Sequence, residues 1–416
     1  MTLKDKRVLY ISYNGMLDPL GQSQVIPYLK ELSKLGVRFT LLSFERGSAF
    51  EAEGMEHCKQ LRAELAACGI EWHWLRYHER PSLPATCFDV LTGFIRAISL
   101  VQRDKIEMVH ARAHIPAVIA LALKATLGIK MIFDLRGLMT EEYVEANHWQ
   151  PDSFPARLTK WIERRALARA DGVVTLTNVL WRFLQRQPDF RKRSTVHQII
   201  PCCIDLQKFQ FDPIARSSRR DELGVADHLL LVYSGSVGSW YMTDEMADFF
   251  ATLKRRWPKS FFLWLTKGSQ RIVEAAMAKA GIDRADFAVR AATPADVPSY
   301  LSAADAGIAF YKPGVARLGT SPVKVSEYLA CGLPIVINAG LGDSDTLITD
   351  ERAGALVNNF TPVEFDGAAQ TLLEMYGHSN ETRHHNRAVA ERLVDLRAVG
   401  TQRYAALYER VLSPRV

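Results

Sequence analysis

Cysteine is scarce in this chain, and its spacing excludes two common structural roles. The six cysteines are Cys58, Cys68, Cys87, Cys202, Cys203 and Cys331. This spacing matches neither a zinc site nor the dense pattern of a disulfide-stabilised scaffold. We therefore expect reduced thiols, as in a protein of the cytoplasm.

The sequence also has no long apolar run and no recognisable secretory leader. Its first residues, MTLKDKRVLYISYN, place three basic residues before an apolar run of strand length, without a cleavage site. No run approaches the roughly 20 apolar residues that a membrane-spanning helix needs. We expect a cytoplasmic protein, either free or peripheral on the inner face of the cell membrane.

The composition is that of a globular protein with a small excess of positive charge. Hydrophobic residues make up 48% and charged residues 24% of the 416 residues, enough for two cores. A net charge of +6 favours anionic partners such as nucleotides, phospholipid surfaces or nucleic acid. The basic residues are spread over both halves without a nucleic-acid-binding motif, so we expect no nucleic-acid partner.

Short apolar runs alternate with helical patterns, which predicts βαβ units and parallel sheets. In the first half, candidate strands begin at Arg7, Phe39, Met108, Met131, Gly172 and Val196. A second series begins at His228, Ser260, Ala306, Pro334 and Ala355. The sequence therefore predicts two successive doubly wound α/β domains.

The seam between the two series is expected near Pro201–Pro213, where PCCIDLQKFQFDP is rich in turn residues. Residues 216–220 (RSSRR) then predict an exposed, mobile segment, and a long helical pattern runs from Glu381 to Leu412. Ligands of doubly wound sheets bind at the carboxyl ends of the strands. We therefore expect the site in a cleft between the domains.

A glycine-containing turn follows the first candidate strand. Gly15 and Gly21 bracket this turn in NGMLDPLGQSQ, and a helix is predicted from about Gln22. Such a turn can bring backbone N–H groups close to a phosphate. It lacks a G-x-G-x-x-G fingerprint, and only Glu45 stands near the place of a ribose-binding acid. An ordinary strand-to-helix turn explains the segment equally well.

Charged side chains follow the third and fourth candidate strands, where apolar residues are expected. The segments are VHARAHIP, with His110, Arg112 and His114, and FDLRGLMTEEY, with Asp134, Arg136, Glu141 and Glu142. Two such clusters predict the floor of an active site; the alternative is a set of satisfied structural groups. The two histidines have i,i+4 spacing, but their segment predicts strand and loop, so we expect no metal site.

The segment SPVKVSEYLACGLPIVINAG, Ser321–Gly340, combines several features of a nucleotide site. It predicts a loop, a short helix that ends at Gly332, and a buried strand from Pro334. Lys324 and Glu327 lie three positions apart, hence on one face of the helix near its N-terminus. A diphosphate needs N–H groups and a cation, and a ribose needs a carboxylate. A surface Lys–Glu pair is the alternative.

Four further segments make the resemblance to a known family specific. Ser321–Gly340 resembles the donor-site motif of glycosyltransferase family 4, a Glu-x7-Glu helix followed by A-C/A-G-x-P-V-V. The opening YNGMLDPLGQSQVIPYLKELSKLGVRFTLLSFE resembles that family's N-terminal loop and first helix. IPCCIDLQKF is similar to its interdomain segment, YSGSVGSWY to its phosphate loop, and VPSYLSAADAGIAF to the unit before the donor helix.

The resemblance implies the GT-B fold, two Rossmann-like α/β domains that face each other across a cleft. Residues 1–205 would bind the acceptor and residues 206–395 the nucleotide-sugar donor. Residues 396–416 would form a C-terminal helix that packs back on the N-terminal domain.

Two departures from the family pattern accompany this resemblance. Glu327 matches the second glutamate, which holds the donor ribose, but Gly319 stands where the first glutamate is expected. The family's Arg and Lys after the phosphate loop correspond to Ser236 and Tyr241. The diphosphate would therefore need another cation; Lys324 is the first candidate, followed by Arg136, Lys267 and Arg317.

The implied reaction transfers a sugar from a nucleotide sugar to a sugar or lipid-linked acceptor, with retention and without a metal or other cofactor, in surface polysaccharide or glycolipid assembly. The expected catalytic residues are Lys324, Arg136 and His110. The expected donor-binding residues are Gly21, Gly235, Ser236, Lys267, Ser321, Pro322, Lys324 and Glu327. The expected acceptor-side residues are Asp134, Arg136, Glu141 and Glu142. The alternatives are a sugar-nucleotide epimerase and a non-catalytic nucleotide-sugar-binding protein.

A basic helix and an apolar segment suggest a membrane partner for the N-terminal half. Residues 157–169, RLTKWIERRALAR, carry five cations, one acid and Trp161, and LTGFIRAISLV from Leu91 is almost wholly apolar. These features favour reversible docking on an anionic membrane surface. The alternative is a solvated basic helix and a buried core helix.

Overall fold

The computed structural model describes residues 3–187 and 195–413, which form two compact α/β units. One unit contains the chain up to Pro201 together with the segment from Leu396 onward, and the other is Cys202–Asp395. Pro201 and Cys202 therefore mark the boundary, slightly before the boundary at 205 expected from the sequence.

The first unit is built on a parallel sheet of seven strands in the order β3-β2-β1-β4-β5-β6-β7. The strands are β1 Arg7–Ser12, β2 Arg38–Glu45, β3 Ile70–Arg76, β4 Met108–Arg112, β5 Lys130–Leu135, β6 Gly172–Thr175 and β7 Val196–Ile199. The helices are α1 Pro19–Gln24, α2 Ile26–Lys34, α3 Ala52–Ala67, α4 Ser82–Asp104, α5 His114–Leu127, α6 Met139–Glu145, α7 Phe154–Arg169 and α8 Asn178–Gln185, with a 3-10 turn at Gly47–Phe50.

The second unit repeats this plan with six parallel strands in the order β10-β9-β8-β11-β12-β13. The strands are β8 Leu229–Ser234, β9 Ser260–Leu265, β10 Phe287–Arg290, β11 Ala306–Ala309, β12 Ile335–Asn338 and β13 Gly354–Val357. The helices are α9 Pro213–Leu223, α10 Thr243–Arg256, α11 Gln270–Lys279, α12 Val297–Ala303, α13 Val323–Ala330, α14 Ser344–Thr349, α15 Pro362–Gly377 and α16 Ser379–Leu393, with 3-10 turns at Arg284–Asp286 and Val315–Gly319.

The last segment of the chain belongs to the first unit. Asp395 pairs with Ile204 in the second unit, and a π-helical turn at Leu396–Thr401 then leads to helix α17, Gln402–Leu412, which packs on β7. The helical stretch predicted from Glu381 to Leu412 therefore consists of two helices, α16 and α17, separated by this turn. The sequence shows no break at Leu396, because the helices on both sides carry apolar residues at helical spacing. The two helices nevertheless belong to different units.

The strands are apolar because helices cover both faces of each sheet. In β8 and β9, every residue except Ser234 is buried, and Trp264 and Tyr233 are fully enclosed. The doubly wound fold confirms the predicted fold class. It also places two switch points of strand order, between β1 and β4 and between β8 and β11. Loops after these strands are the expected places for ligands.

Two strands escaped the sequence pattern, β3 and β10. Each lies at an edge of its sheet. Buried and exposed positions alternate at the start of β3, and β10 is a four-residue strand whose last residue is exposed. An edge strand pairs with one strand only and is partly exposed to solvent. These two strands therefore lack the continuous apolar run that marks the inner strands.

Residues 216–220 were predicted to form an exposed, mobile segment, but they are part of a helix. They lie in α9, where Arg216 and Arg220 form ion pairs with the buried Asp305 at 2.6 and 3.1 Å. Asp212 begins the helix and accepts hydrogen bonds from the N–H groups of Ile214 and Ala215. Arg220 is 7% exposed, so these arginines stabilise the second unit.

Helix α4 corrects the expectation that no segment is apolar and long enough to cross a membrane. Among the described residues it alone satisfies that test by length and composition, with 23 residues, and a third of its most apolar 18-residue stretch is buried. Asp89 and Arg96 interrupt its apolar run in the sequence. Its inner face packs on β1, β2 and α5, and Asp89 is fully buried. The helix is therefore part of the core of the first unit along one face.

Candidate functional site

In the second unit, the loop after β8 meets the N-terminal turn of α13. Gly235 has a φ of 143° and Gly238 a φ of 72°, conformations that favour glycine. A Cβ atom on Gly235 would lie 2.5 Å from Nζ of Lys324. Because glycine has no side chain here, the Lys324 ammonium group can lie directly against the loop backbone.

Lys324 is a buried cation, only 8% exposed, at the first turn of α13. Its Nζ donates a hydrogen bond of 3.0 Å to the hydroxyl oxygen of Tyr233. The same nitrogen lies 4.1 Å from the ring centre of Tyr233, 4.2 Å from that of Tyr241 and 5.6 Å from that of Tyr311. Burial lowers the pKa of Lys324 from 10.5 to about 7, although the Glu327 carboxylate opposes this shift.

Glu327 is half-buried on the same helix. Burial raises the pKa of its carboxyl group from 4.5 to about 7, against the opposing charges of Lys324 and Lys208. Among the described residues we find no hydrogen-bond partner for this carboxylate. An acceptor group without a partner, next to a buried cation, can bind a ligand that carries hydroxyl donors.

The start of α13 is held to the beginning of the second unit by two serines. Oγ of Ser321 accepts a hydrogen bond from the N–H of Cys202, and the hydroxyl of Ser326 donates to the Cys202 carbonyl. Pro322 stands at the N-cap, and Gly332 follows the helix with a φ of 73°. These contacts fix the position from which Lys324 reaches the loop.

A separate pocket of about 230 Å³ lies within the first unit, beside the carboxyl ends of β1, β4 and β5. Its polar and aromatic lining consists of Tyr13, Asn14, His114, Arg136, Glu142 and Tyr143. This position at the switch point of the first sheet is the one expected for a ligand.

Asp134, at the end of β5, is the buried charge beneath this pocket. Its Oδ1 lies 3.6 Å from Nη1 of Arg136, and its Oδ2 accepts a 2.9 Å hydrogen bond from the Tyr404 hydroxyl. Burial acts to raise the pKa of Asp134, but the charges of Arg136 and Arg112 and the hydrogen bond with His110 hold it below its usual range. The ionised carboxylate thus orients Arg136 at the pocket.

Both halves of the chain match glycosyltransferase family models. Residues 24–199 match the Glycosyl transferase 4-like domain, and residues 229–375 match Glycosyl transferases group 1. The chain belongs to the glycosyltransferases. This confirms the glycosyltransferase class and the resemblance to glycosyltransferase 4-like and group 1 domains that the motifs indicated. No curated protein sequence gives a significant match.

Solved structures similar to this glycosyltransferase have the GT-B fold. HepE from Anabaena, in complex with UDP, has 16% identity and a TM-score of 0.71 over 97% of this chain and 100% of that chain. Sucrose-phosphate synthase from Thermosynechococcus elongatus has 15% identity and a TM-score of 0.71 over 98% and 99%. WaaG, a glycosyltransferase involved in lipopolysaccharide biosynthesis, has 15% identity and a TM-score of 0.67 over 96% and 99%.

In the second unit of this glycosyltransferase, Lys324, Glu327, Gly235 and Ser236 come together. Ser236 is exposed on the loop, and its carbonyl accepts a hydrogen bond from Tyr233. Lys267 is exposed after β9, on a loop whose Gly268 packs against Val237. The hydroxyl oxygen of Ser321 already binds Cys202, as described above, so its contribution is to hold α13.

The two departures from the family pattern lie close to this site. Gly319 is buried at the end of the 3-10 turn Val315–Gly319, so no carboxylate can occupy the position of the first glutamate. Arg317, on the same turn, is 7% exposed and stacks 4.5 Å from the ring centre of Trp240. This contact connects the turn to the loop after β8.

His110 has no geometric support as a catalytic residue. It lies within β4, is 1% exposed, and its Nδ1 is 2.6 Å from the Tyr408 hydroxyl. Its Nε2 faces Asp134 at 3.4 Å, and burial lowers the pKa of the ring. Both nitrogens are engaged inside the unit, so the histidine connects β4 with α17.

The expected acceptor-side acids occupy different environments. Asp134 is buried beneath the pocket, and Glu142 lines it. Glu141 instead pairs with Lys160 of α7 at 2.6 Å, and Lys160 also pairs with Glu163 at 2.8 Å. The Glu141 carboxylate is therefore part of a structural ion pair between α6 and α7.

His114 belongs to helix α5, where the sequence predicted loop. It is the first residue of α5, and its Nε2 lies 3.0 Å from Glu163. Across residues 3–187 and 195–413, no group of three His, Cys, Asp or Glu side chains is arranged to hold a metal ion.

The N-terminal glycine turn is occupied by a carboxylate of the chain itself. Glu45 is 1% exposed and accepts hydrogen bonds from the N–H groups of Met16, at 2.7 Å, and Leu17. Gly21 lies within α1, where a Cβ atom would be 2.3 Å from the Gly15 carbonyl oxygen. Gly21 therefore permits close packing of α1 on the turn, whose N–H groups of Met16 and Leu17 already bind the Glu45 carboxyl group. Donor binding by Gly21 stays a prediction.

Three aromatic residues of the site were missed by the sequence analysis. Tyr233 is the penultimate residue of β8 before the glycine loop, Tyr241 ends that loop, and Tyr311 follows β11. The signal available was an aromatic residue near the carboxyl end of each switch-point strand. It was hidden because tyrosine is also an ordinary residue of buried strands.

Proposed function

We propose that this glycosyltransferase is a member of family 4 and transfers a sugar from a nucleoside diphosphate sugar to an acceptor hydroxyl, with retention of the anomeric configuration and without a metal ion or other cofactor. The observation that carries the proposal is the buried Lys324 ammonium group against Gly235, three positions before Glu327. A cation and a partner-free carboxylate on one helix turn suit a nucleoside diphosphate.

The donor diphosphate binds between the loop after β8 and the first turn of α13. Lys324 contributes the positive charge, and the exposed backbone of the loop contributes N–H groups. Glu327 accepts hydrogen bonds from the two ribose hydroxyls. The complexes of HepE with UDP and UDP-glucose support a uridine diphosphate sugar as the first donor to test.

The chemical role of this site is to stabilise the leaving diphosphate. Each charge-assisted hydrogen bond contributes roughly 1.5–3 kcal/mol, so a few such bonds lower the barrier substantially. Because Lys324 supplies a positive charge beside the diphosphate, metal-independent transfer is the simplest mechanism. Gly319 leaves the sugar without the family's first glutamate, so we assign no side chain to that role.

The acceptor binds in the pocket of the first unit. Arg136 and Glu142 provide one donor group and one acceptor group for sugar hydroxyls, and Tyr143, which is 38% exposed, provides a ring for a sugar face. A sugar or a lipid-linked sugar fits this combination. We place the reaction in surface polysaccharide or glycolipid assembly, as WaaG's role in lipopolysaccharide biosynthesis suggests by similarity.

The first unit docks on the anionic inner face of the membrane, as a peripheral cytoplasmic protein. Phe88, Leu91 and Ile95 of α4 are 54%, 57% and 62% exposed and share one helix face. Trp161 of α7 is 53% exposed. Four exposed arginines accompany it on α7: Arg157, Arg164, Arg165 and Arg169.

The exposed side chains of α4 favour a membrane-docking surface over the alternative of a fully buried core helix. The outer residues of α4 are exposed and do not belong to the core. Helix α5 contacts both α4 and α7, so the apolar and basic surfaces lie on two helices that share this neighbour. Lys160 has no part in docking because two carboxylates already hold it. Arginines next to exposed aromatic and aliphatic side chains fit an anionic lipid surface.

Turnover of nucleotide sugars tests the proposed reaction. We first expect one nucleoside diphosphate to raise the melting temperature, since a ligand stabilises by RT ln(1 + [L]/Kd). The matching nucleotide sugar should then be consumed faster with acceptor present, and NMR of the product should show the donor's anomeric configuration. Activity should survive a chelator.

Three other outcomes would contradict this proposal. Conversion of the nucleotide sugar to an isomer without acceptor would identify an epimerase. Binding without any turnover across nucleotide sugars and acceptors would identify a binding protein. An inverted product would overturn retention while leaving glycosyl transfer intact.

A further inference from the structure

The Lys324 ammonium group is enclosed by three tyrosine rings that come from separate segments of the second unit. Tyr233 lies on β8, Tyr241 at the end of the loop after β8, and Tyr311 just after β11. Ring faces attract cations electrostatically, most strongly at buried positions. We call these three residues the tyrosine cage.

The cage is rigid because backbone contacts hold each of its parts. Tyr241 and Tyr311 form an isolated antiparallel bridge, and the N–H of Tyr311 donates to Oδ1 of Asn338 at 2.7 Å. The Tyr233 hydroxyl donates to the Ser236 carbonyl while its oxygen accepts from Lys324. A lysine side chain otherwise samples many rotamers, so such a cage restricts where its ammonium group can lie.

We propose that the tyrosine cage positions the Lys324 ammonium group for the donor diphosphate, which makes Tyr233 and Tyr241 positioning residues of this glycosyltransferase. This inference rests on the proposed donor site at α13. In that site Tyr241 stands where the resemblance to family 4 places a lysine. The cage therefore substitutes for a cation on the loop by holding a cation from the helix.

The first test measures binding of UDP and of uridine to purified variants by titration calorimetry. Tyr241→Leu should weaken UDP binding by roughly 3- to 30-fold, since the variant loses one cation–π contact, and should leave uridine binding within about twofold. Tyr241→Phe retains the ring and should bind both ligands like the wild type. Tyr376→Leu, a half-buried tyrosine that packs on Trp257 of α10's end, serves as the matched control.

The second test uses the pH dependence of UDP binding. The titratable or charged groups that face Lys324 or its cage are Glu327 and Tyr328 on α13, Lys208 near Glu327, Cys202 at the start of the second unit, and Arg317 on the 3-10 turn. Because ring faces stabilise the protonated amine, Tyr241→Leu should move the loss of UDP affinity to lower pH. Tyr233→Phe removes the hydrogen-bond acceptor of Lys324 and should move it in the same direction, which provides a second variant if Tyr241→Leu does not fold.

The outcomes separate this inference from the proposed donor site. If Lys324→Ala binds UDP like the wild type, the donor site is wrong and the cage has no diphosphate to serve. If Lys324→Ala loses UDP selectively but folded Tyr241→Leu and Tyr233→Phe keep both affinity and pH profile, the cage inference is overturned and the donor site stands. Equal weakening of UDP and uridine in the tyrosine variants would also overturn it, since that indicates a structural effect.

Discussion

At the scale of single residues, Glu327 and Lys324 combine burial with opposite charge. Burial disfavours the charged form of each, and the pKa values of both move towards 7 from opposite sides. A ligand that brings hydroxyl donors and negative charge relieves both groups. This pair is therefore a local source of instability that a nucleotide at the proposed donor site would offset.

We predict that Glu327→Ala lowers kcat/KM by roughly 10- to 1000-fold, because two charge-assisted ribose hydrogen bonds are worth about 1.5–4 kcal/mol. Steady-state kinetics with the identified donor measures this. Circular dichroism should show an unchanged fold. A folded variant with wild-type kinetics would remove Glu327 from the donor site.

We predict that Glu327→Gln raises the melting temperature of the ligand-free protein at pH 8 by a few degrees, about 2–5 °C. Between pH 4.5 and 7 the native carboxyl binds more protons than the unfolded one, so burial of Glu327 destabilises the fold increasingly as pH rises through this range. The advantage of the variant should therefore shrink as pH falls from 8 towards 4.5. Thermal melts at several pH values would contradict this if the difference were constant.

We predict that wild-type affinity for UDP falls as pH rises above about 7, where unliganded Lys324 loses its proton. A bound diphosphate raises the pKa of the lysine, so binding above this pH takes up a proton. Calorimetry in buffers of different ionisation enthalpy measures that uptake. Lys324→Met should abolish the uptake, and an unchanged proton count in this variant would assign it to another group.

At the scale of elements, helix α9 shows that a capping signal in the sequence can be correct even where the residues that follow it resemble a loop. Helix α9 was hidden in the sequence by the charged run at 216–220. Its start at Asp212 and Pro213 is nevertheless an ordinary capping pattern, and its arginines are buried by Asp305. A run of charged residues therefore predicts solvent exposure only where the fold provides no buried group of opposite charge to pair with it.

We predict that Asp212→Ala lowers the free energy of unfolding by about 0.5–2 kcal/mol, because the carboxylate accepts two N–H groups at the start of α9. Asp212→Asn retains an acceptor oxygen and should change stability by only a few tenths of a kcal/mol. Urea titration measures both variants. An equal loss in the two variants would show that charge, and not capping, is the cause.

At the scale of the whole molecule, the first unit carries an exposed apolar surface on α4 and an exposed basic surface on α7. Each basic residue near an anionic membrane contributes roughly 1 kcal/mol, and salt screens this attraction. Membrane binding should consequently depend on lipid charge, ionic strength and the arginines of α7.

We predict that the protein pellets with anionic but not neutral vesicles and is released as salt rises. Arg164→Glu with Arg165→Glu should reduce pelleting strongly, and Leu91→Gln with Ile95→Gln should reduce it at all salt concentrations. Lys259→Glu with Arg271→Glu makes the same charge change at exposed positions of the second unit and is the matched control. If the wild type stays in the supernatant with anionic vesicles at low salt, a soluble acceptor replaces the membrane proposal.

The sequence by itself determined the two doubly wound sheets, the glycosyltransferase family and the segment with Lys324 and Glu327. Inner strands and glycine-limited turns leave local patterns, because covered strands must be apolar and positive φ angles favour glycine. Those patterns could not distinguish a buried polar network from an active-site floor, which is why His110 and Glu141 were assigned functions.

Only the tertiary structure decided the environment of each charged group. The tyrosine cage joins positions 233, 241 and 311 to 324, and His110 meets Tyr408 across 298 positions of sequence. No local pattern records such contacts, since they depend on which strands become neighbours. Burial and its effect on pKa arise from these long-range contacts, and they separate the catalytic candidates from the structural residues of the same types.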